Sequence, residues 1–240
     1  TEFIDKNVMV IGAGPSASDV ARKIKNISNH VYVIDRSLKT NKGFKSEDNK
    51  LTQMPNIKEV TNDYEVTLET NDTITVDYIV YATGYEYKFP FLNDKYITSN
   101  DGIVRPLYQH LFNLSDPSLC FIGLPHPVIP FFMSYLQSEW VLEVFNNNSL
   151  PNLKEREKWF ESFENNLKEN NSFNKRYHNM LNSQFDYYRM LAKKANILTT
   201  KLELYINETE LIYKENLEQM PKYPGAHDNY RSLKYKRKFL

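Results

Sequence analysis

Apolar positions along this chain follow two rhythms. Lys6-Asn7-Val8-Met9-Val10-Ile11 is a short apolar run of the kind that forms a strand buried on both faces, and His30-Val31-Tyr32-Val33-Ile34 is a second. Between them Ala17, Val20, Ala21 and Ile24 recur at helical spacing, so Ser16 to Ile24 predicts a helix and the three segments a βαβ unit. Tyr64 to Thr70 alternates with period two and meets Thr73 to Val76 across Asn71-Asp72, which predicts a hairpin. Asp77 to Tyr85 reads as an apolar strand ending in small residues, where Gly84 allows a sharp exit. Beyond Leu150 the composition shifts to charged and amide residues at helical spacing. Trp159, Phe160 and Phe163 share one helix face there, and Leu202, Tyr205 and Ile206 another; both stripes are expected to be core. No internal repeat is present, and the pattern is that of an α/β protein with a helical C-terminal part.

The turn after the first strand carries the sharpest chemistry. Gly12-Ala13-Gly14-Pro15-Ser16-Ala17 joins strand to helix, the context in which a glycine-rich turn cradles a dinucleotide. Gly12 permits the tight turn, and Gly14 lets the backbone approach a pyrophosphate. Pro15 suits a first helical position, and the free N–H groups of that helix end favour phosphate. Ala17 stands where a third glycine would pack helix against strand. After the second strand two signals oppose each other. Asp35, 23 residues beyond Gly12, suits a ribose 2′-hydroxyl, whereas Arg36 and Ser37 suit a 2′-phosphate.

Charge and composition narrow the class. Thirty basic and thirty acidic residues cancel, so no long-range field draws the chain to nucleic acid or an anionic membrane. The basic run Lys234-Tyr235-Lys236-Arg237-Lys238 is expected to be a solvated tail. Cys120 is the only cysteine, which excludes an intramolecular disulfide, a CxxC redox pair and a cysteine-rich zinc site. A reducing compartment follows, and the Asn-x-Ser/Thr triplets at Asn113 and Asn207 are read as chance matches. No stretch reaches the roughly 18 uninterrupted apolar residues of a membrane span. His30, His110, His126, His178 and His227 show no i, i+4 pairing suited to a metal. A serine hydrolase fails because Gly14-Pro15-Ser16-Ala17-Ser18 lacks the final glycine, and the single YxxxK, Tyr230 to Lys234, falls in the basic tail.

Phe3 to Asp19 resembles the NADP-binding segment of flavin-containing monooxygenases. Gly12, Gly14, Ser16 and Asp19 match that family's GxGxSGxD pattern, with Ala17 in place of its last glycine. An arginine after the second strand reads the 2′-phosphate in the family, and Arg36 matches it, so the resemblance favours NADP. Ala82-Thr83-Gly84-Tyr85 is similar to the ATGY stretch that carries the chain from the NADP domain back to the FAD domain. Phe121 to Phe132, leading into Leu136-Gln137-Ser138-Glu139-Trp140, is similar to the segment in which a strand turns through prolines into a helix pointed at the flavin. Past about Phe145 the likeness thins to Gln184-Phe185-Asp186-Tyr187-Tyr188 and Tyr223-Pro224-Gly225.

The resemblance implies a Rossmann-like NADP-binding domain over residues 1–81, a returning part of an FAD-binding domain over 82–150 and a helical region over 151–240. It implies an NADPH- and FAD-dependent monooxygenase in which one oxygen of O₂ passes, through a C4a-hydroperoxyflavin, to the amine nitrogen or sulfide sulfur of a small molecule. NADP would be held by Gly12, Gly14, Pro15, Ser16, Ala17, Arg36 and Ser37. The flavin side would comprise Thr83, Gly84, Gly123, Leu124, Pro130 and Gln137, with no protein group acting as base or nucleophile. The family's first GxGxxG and its FxGxxxHxxxF are absent, and the sequence opens on Thr1; it is therefore expected to begin within a longer protein and to be inactive alone. A Baeyer–Villiger monooxygenase and a non-catalytic nucleotide-binding remnant stay open as alternatives. The polar ending lacks the apolar anchor of some members, which favours the cytoplasm over the endoplasmic reticulum, and a homo-oligomer is left open.

Overall fold

The computed structural model describes residues 2–40, 42–62 and 64–219. The basic run at 234–238, Tyr223-Pro224-Gly225, His227 and the Tyr230-to-Lys234 match lie outside the described residues. Two compact units result, the first ending at Gly84 and the second running Tyr85–Glu215.

The first unit runs β1 (Asn7–Ile11), α1 (Pro15–Lys25), β2 (His30–Ile34), β3 (Leu51–Met54), β4 (Ile57–Asn62), β5 (Glu65–Leu68), β6 (Thr73–Thr75) and β7 (Tyr78–Tyr81). Four of these strands form a parallel sheet in the order β3-β2-β1-β7, with Val8 paired to Val31 on one side and to Tyr78 on the other. Alternation along each strand divides the two faces. Val8, Val10, Val31, Val33 and Leu51 pack on Ala17, Ala21 and Ile24 of α1. Met9 and Ile34 point the other way, onto Val66, Leu68 and Ile74 of the antiparallel β4-β5-β6 sheet. Cover on both faces is why β1 and β2 read as unbroken apolar runs. The expected hairpin is β5–β6, and it turns through Asn71 at φ +64.

The second unit runs β8 (Thr98–Asn100), β9 (Ile103–Arg105), β10 (Leu107–Tyr108), β11 (Phe112–Asn113), α2 (Pro130–Asn147), α3 (Leu153–Glu169), α4 (Phe173–Arg176), α5 (Gln184–Lys194) and α6 (Thr200–Gln219). One core spans it. Trp140 of α2 meets the rings of Tyr108 and Phe112 edge-on, and the same cluster takes in Phe185, Tyr188 and Leu191 of α5 and Ile206 of α6. Helix α3 starts on a capping box, in which Asn152 Oδ1 accepts from the Glu155 N–H and the Glu155 carboxylate accepts from the Asn152 N–H. Trp159 and Phe163 stack, partly buried, against the core, whereas Tyr205 is half exposed.

Two expectations change here. No strand forms over Phe121 to Leu124: the Phe121 N–H donates to the Leu111 carbonyl at 2.8 Å, but Gly123 sits at φ +95, and side chains hold Gly123 and Leu124. Gln137 Oε1 accepts from the Gly123 N–H at 2.9 Å, and Tyr87 donates its hydroxyl to the Leu124 carbonyl at 2.8 Å. β3 and β4 join the sheets although neither carries an apolar run. Among the described residues no helix is long and apolar enough to cross a membrane.

Candidate functional site

Three turns gather at the carboxyl edge of the parallel sheet, where an open α/β sheet binds ligands at the point its strand order reverses. The first follows β1. Gly12 stands at φ +117, and a Cβ there would fall 2.3 Å from the Ala82 carbonyl oxygen. The turn is therefore locked to the end of β7, whose next residues are Thr83 and Gly84. Thr83 and Gly84, expected on the flavin side, thus share a sheet edge with the residues expected to hold NADP.

Gly14 behaves differently. It caps α1 in an extended conformation (φ −77, ψ −177), and a Cβ there would meet nothing within 4 Å. No side chain caps the helix and its first turn holds no acid. The first intrahelical bond runs from the Ser18 N–H to the Gly14 carbonyl, so the N–H groups of Ser16 and Ala17 precede the hydrogen-bonded ladder. Open space, free donors and the positive end of the helix dipole together make a cradle for a diphosphate. Pro15 occupies the first turn, and the Ala17 methyl is fully buried beneath the helix.

The end of β2 supplies the third turn. Asp35 Oδ1 accepts from the Ser37 backbone N–H at 2.8 Å, and Oδ2 accepts from Gln53 Nε2 at 2.7 Å. Arg36 and Ser37 are left exposed at the tip. Gln53, buried in β3, carries no apolar signal and was invisible to pattern reading.

The residues of the second unit expected on the flavin side cluster about the start of α2. Pro130 is the first residue of that helix, whose N-terminus lacks a side-chain cap and first-turn acids. Gly123 is exposed and Leu124 buried. Gln137 is fully buried: besides holding Gly123, its Nε2 donates to the Tyr187 hydroxyl at 3.0 Å, and Tyr187 donates to the Gln109 carbonyl at 2.8 Å. Its side chain is thus committed to fixing the loop ahead of α2. Burial raises the Tyr187 hydroxyl well above the ordinary phenol range, so it stays a neutral link.

Beside these hydrogen bonds lies a buried imidazole pair that the sequence, with the two 68 positions apart, did not reveal. His110 Nδ1 and His178 Nδ1 are 3.2 Å apart, and the Val104 N–H donates to His178 Nε2 at 3.0 Å. Burial holds His110 at about 3, and burial followed by the charge of His126 holds His178 at about 4. A cavity of ≈ 590 Å³, lined by His110, Phe163, Tyr177, Tyr187 and Met190 among others, adjoins the pair. No cluster of metal-ligating side chains occurs among the described residues.

A family model for flavin-binding monooxygenase-like proteins matches residues 49–215. The chain belongs to this family. Flavin-containing monooxygenase FMO GS-OX-like 3 of Arabidopsis thaliana is 37% identical over 204 residues, covering 83% of this chain and 45% of that protein. FMO GS-OX-like 7 of the same plant is 40% identical over 201 residues, covering 80% and 42% respectively. The S-allyl-L-cysteine S-oxygenase from Allium sativum is similar in structure, with a TM-score of 0.81 and 29% identity over 95% of this chain and 52% of its own. The chain spans somewhat under half the length of these curated relatives. Flavin is the cofactor the family is described by. The Gly12–Ala17 turn lies upstream of the residues the family model matches, so its reading rests on its glycine spacing and its geometry.

Proposed function

We propose that this chain provides the NADPH site and part of the flavin surroundings of a monooxygenase acting on soft nucleophiles, sulfide sulfur ahead of amine nitrogen. One observation carries the reading: Gly14 opens onto free space at an uncapped helix N-terminus, with Arg36 and Ser37 exposed at the end of the neighbouring strand. The likeness to an S-oxygenase over nearly the whole chain supports sulfur as the acceptor.

In this reading residues 1–81 bind the nicotinamide cofactor. The Ser16 and Ala17 N–H groups take the pyrophosphate, Gly12, Gly14 and Pro15 shape the turn, and Arg36 with Ser37 meets the 2′-phosphate. Residues 82–150 are the returning part of the FAD domain: Thr83 and Gly84 close the sheet edge of the first unit, and in the second unit Gly123, Leu124 and Pro130 border the flavin while Gln137 fixes the loop that carries Gly123. The start of α2 suits negative charge on a reduced ring. The helical C-terminal region, as far as residue 215, shares a core with α2. The bound flavin supplies the redox chemistry and the activation of O₂; the chain binds, orients and excludes water. Only one Gly-x-Gly occurs in the sequence, so these residues supply one dinucleotide cradle and not the second that FAD needs. The same observation favours a second reading, a nucleotide-binding module without turnover.

Calorimetric titration tests the site. NADP⁺ is expected to bind, and Arg36→Ala to weaken it roughly 10- to 100-fold, as loss of a charge-assisted hydrogen bond does. NAD⁺ affinity should stay within about twofold, since the lost contact is to the 2′-phosphate alone. A wild-type chain that binds neither nucleotide refutes the reading. For the whole natural protein, flavin absorbance that bleaches on adding NADPH supports the monooxygenase, and absence of flavin leaves the module.

A further inference from the structure

An acid at the end of the second strand normally works against a 2′-phosphate. It accepts hydrogen bonds from ribose hydroxyls and repels a second negative charge at that position. Asp35 occupies this place and Arg36 follows it, so the two neighbours pull the cofactor choice in opposite directions. The structure shows how the conflict is resolved.

The Asp35 carboxylate is drawn back against the sheet. Its two oxygens accept from the Ser37 N–H at 2.8 Å and from Gln53 Nε2 at 2.7 Å. A carboxylate has further lone pairs, so these bonds do not saturate it; what they fix is its direction. Gln53 is itself immobilised. It is 5% exposed, stands opposite Val33 in the parallel register, and donates its backbone N–H to the Phe44 carbonyl at 2.7 Å. Gly43 presses so close that a Cβ there would lie 2.0 Å from the Gln53 carbonyl oxygen. Two residues on from Leu51, Gln53 faces the α1 side of the sheet, a place otherwise filled by Val31, Val33 and Leu51. A buried amide among valines and leucines is retained only when its hydrogen bonds are made. Here the bond is to Asp35.

We propose that Gln53 determines the preference of this chain for a 2′-phosphorylated dinucleotide: by holding Asp35 back, it leaves Arg36 and Ser37 as the groups that the ribose 2′ position meets. The inference rests on the nucleotide-binding reading above. Gln53 is a positioning residue, acting through Asp35 and not on the cofactor itself.

The test compares NADP⁺ and NAD⁺ affinities of the full chain by calorimetry, with no dependence on turnover. Gln53→Leu keeps the volume and removes the donor, which frees the carboxylate to turn outward. The ratio of NADP⁺ to NAD⁺ affinity is expected to fall about 10- to 30-fold, because a carboxylate facing a phosphate across a few ångströms is strongly unfavourable even when partly screened. Adding Asp35→Asn to Gln53→Leu removes the offending charge and is expected to restore the ratio to within about threefold of the wild type. Gln53→Met serves in the same way if the leucine unsettles the sheet. A merely structural role for Gln53 would lower both affinities together, with no rescue by Asp35→Asn. A ratio unchanged within twofold in both Gln53 variants overturns this inference alone, as does a wild type that prefers NAD⁺. Binding of neither nucleotide by the wild type overturns the nucleotide reading and this inference with it.

Discussion

Gly12→Ala is expected to lower the melting temperature of the first unit by roughly 20 °C, whereas Gly14→Ala, two residues on, should lower it by only about 2–8 °C. The added methyl at Gly12 would sit 2.3 Å from the Ala82 carbonyl oxygen and 2.9 Å from its carbon, and both are backbone atoms at the end of β7. Neither can move without disturbing the ladder in which Ile11 pairs with Tyr81. The φ of +117 adds strain for any residue with a side chain. Backbone strain of ~1–3 kcal/mol and overpacking of ~1–3 kcal/mol together give about 4 kcal/mol, a large share of the ~5–15 kcal/mol that holds a domain folded. At Gly14 the extended backbone accepts alanine, and a Cβ would meet nothing. Loss of a glycine N-cap costs only about 0.5–1 kcal/mol. The effect of Gly14→Ala should instead appear in binding, as a fall of about tenfold or more in NADP⁺ affinity, because its methyl enters the space that a pyrophosphate needs. Thermal unfolding followed by circular dichroism, with calorimetry for binding, separates the two. A Gly12→Ala variant that melts within about 3 °C of the wild type would show that β1 and β7 are not locked at this point.

The same contrast explains what the sequence revealed and what it hid. The βαβ unit was legible because β1 and β2 are buried on both faces and α1 on one, so periodicity recorded the fold directly. The hairpin was legible through Asn71-Asp72. β3 was not, since Leu51-Thr52-Gln53-Met54 puts a buried glutamine where a pattern expects an apolar residue. That glutamine is also the partner that turns Asp35 away, which is why Asp35 and Arg36 gave opposed signals. Phe121 to Leu124 misled in the opposite direction. It looks like a strand, but beyond the Phe121 N–H, which donates to the Leu111 carbonyl, its backbone is held by the side chains of Gln137 and Tyr87, contacts that only the tertiary fold creates. The triplet at Asn113 has a structural reason: the side chain is fully buried, with Oδ1 accepting from the N–H groups of Ser115 and Asp116.

Acid should weaken the second unit already as pH falls below 6.5. His110 and His178 are buried and held at about 3 and about 4, against the ordinary value of 6.5. The geometry gives the reason. The Val104 N–H points at His178 Nε2, which accepts only while unprotonated, so the His178 proton is on Nδ1 and is donated to His110 Nδ1. Charging His110 would set a second N–H against the first across 3.2 Å, and the rings of Trp159, Phe163 and Tyr187 around it offer no anion. Because both values are depressed, the unfolded chain binds protons that the folded chain refuses. The contribution is complete above pH 6.5 and is lost as pH falls from 6.5 towards 4. At pH 5 each histidine withdraws about 2 kcal/mol, or about 4 kcal/mol together. His30, in the first unit, is also lowered by its burial and adds in the same direction. The readout should therefore be the fluorescence of Trp140 and Trp159, the only tryptophans, the first in the main core of the second unit and the second against the His110 ring. Urea midpoints between pH 7 and pH 5 are expected to fall with a slope of two protons. His178→Gln, whose amide can accept from Val104 and donate to His110, should reduce that slope to one. Stability that holds within about 1 kcal/mol from pH 7 to pH 5 would mean that the pair is not buried neutral as described.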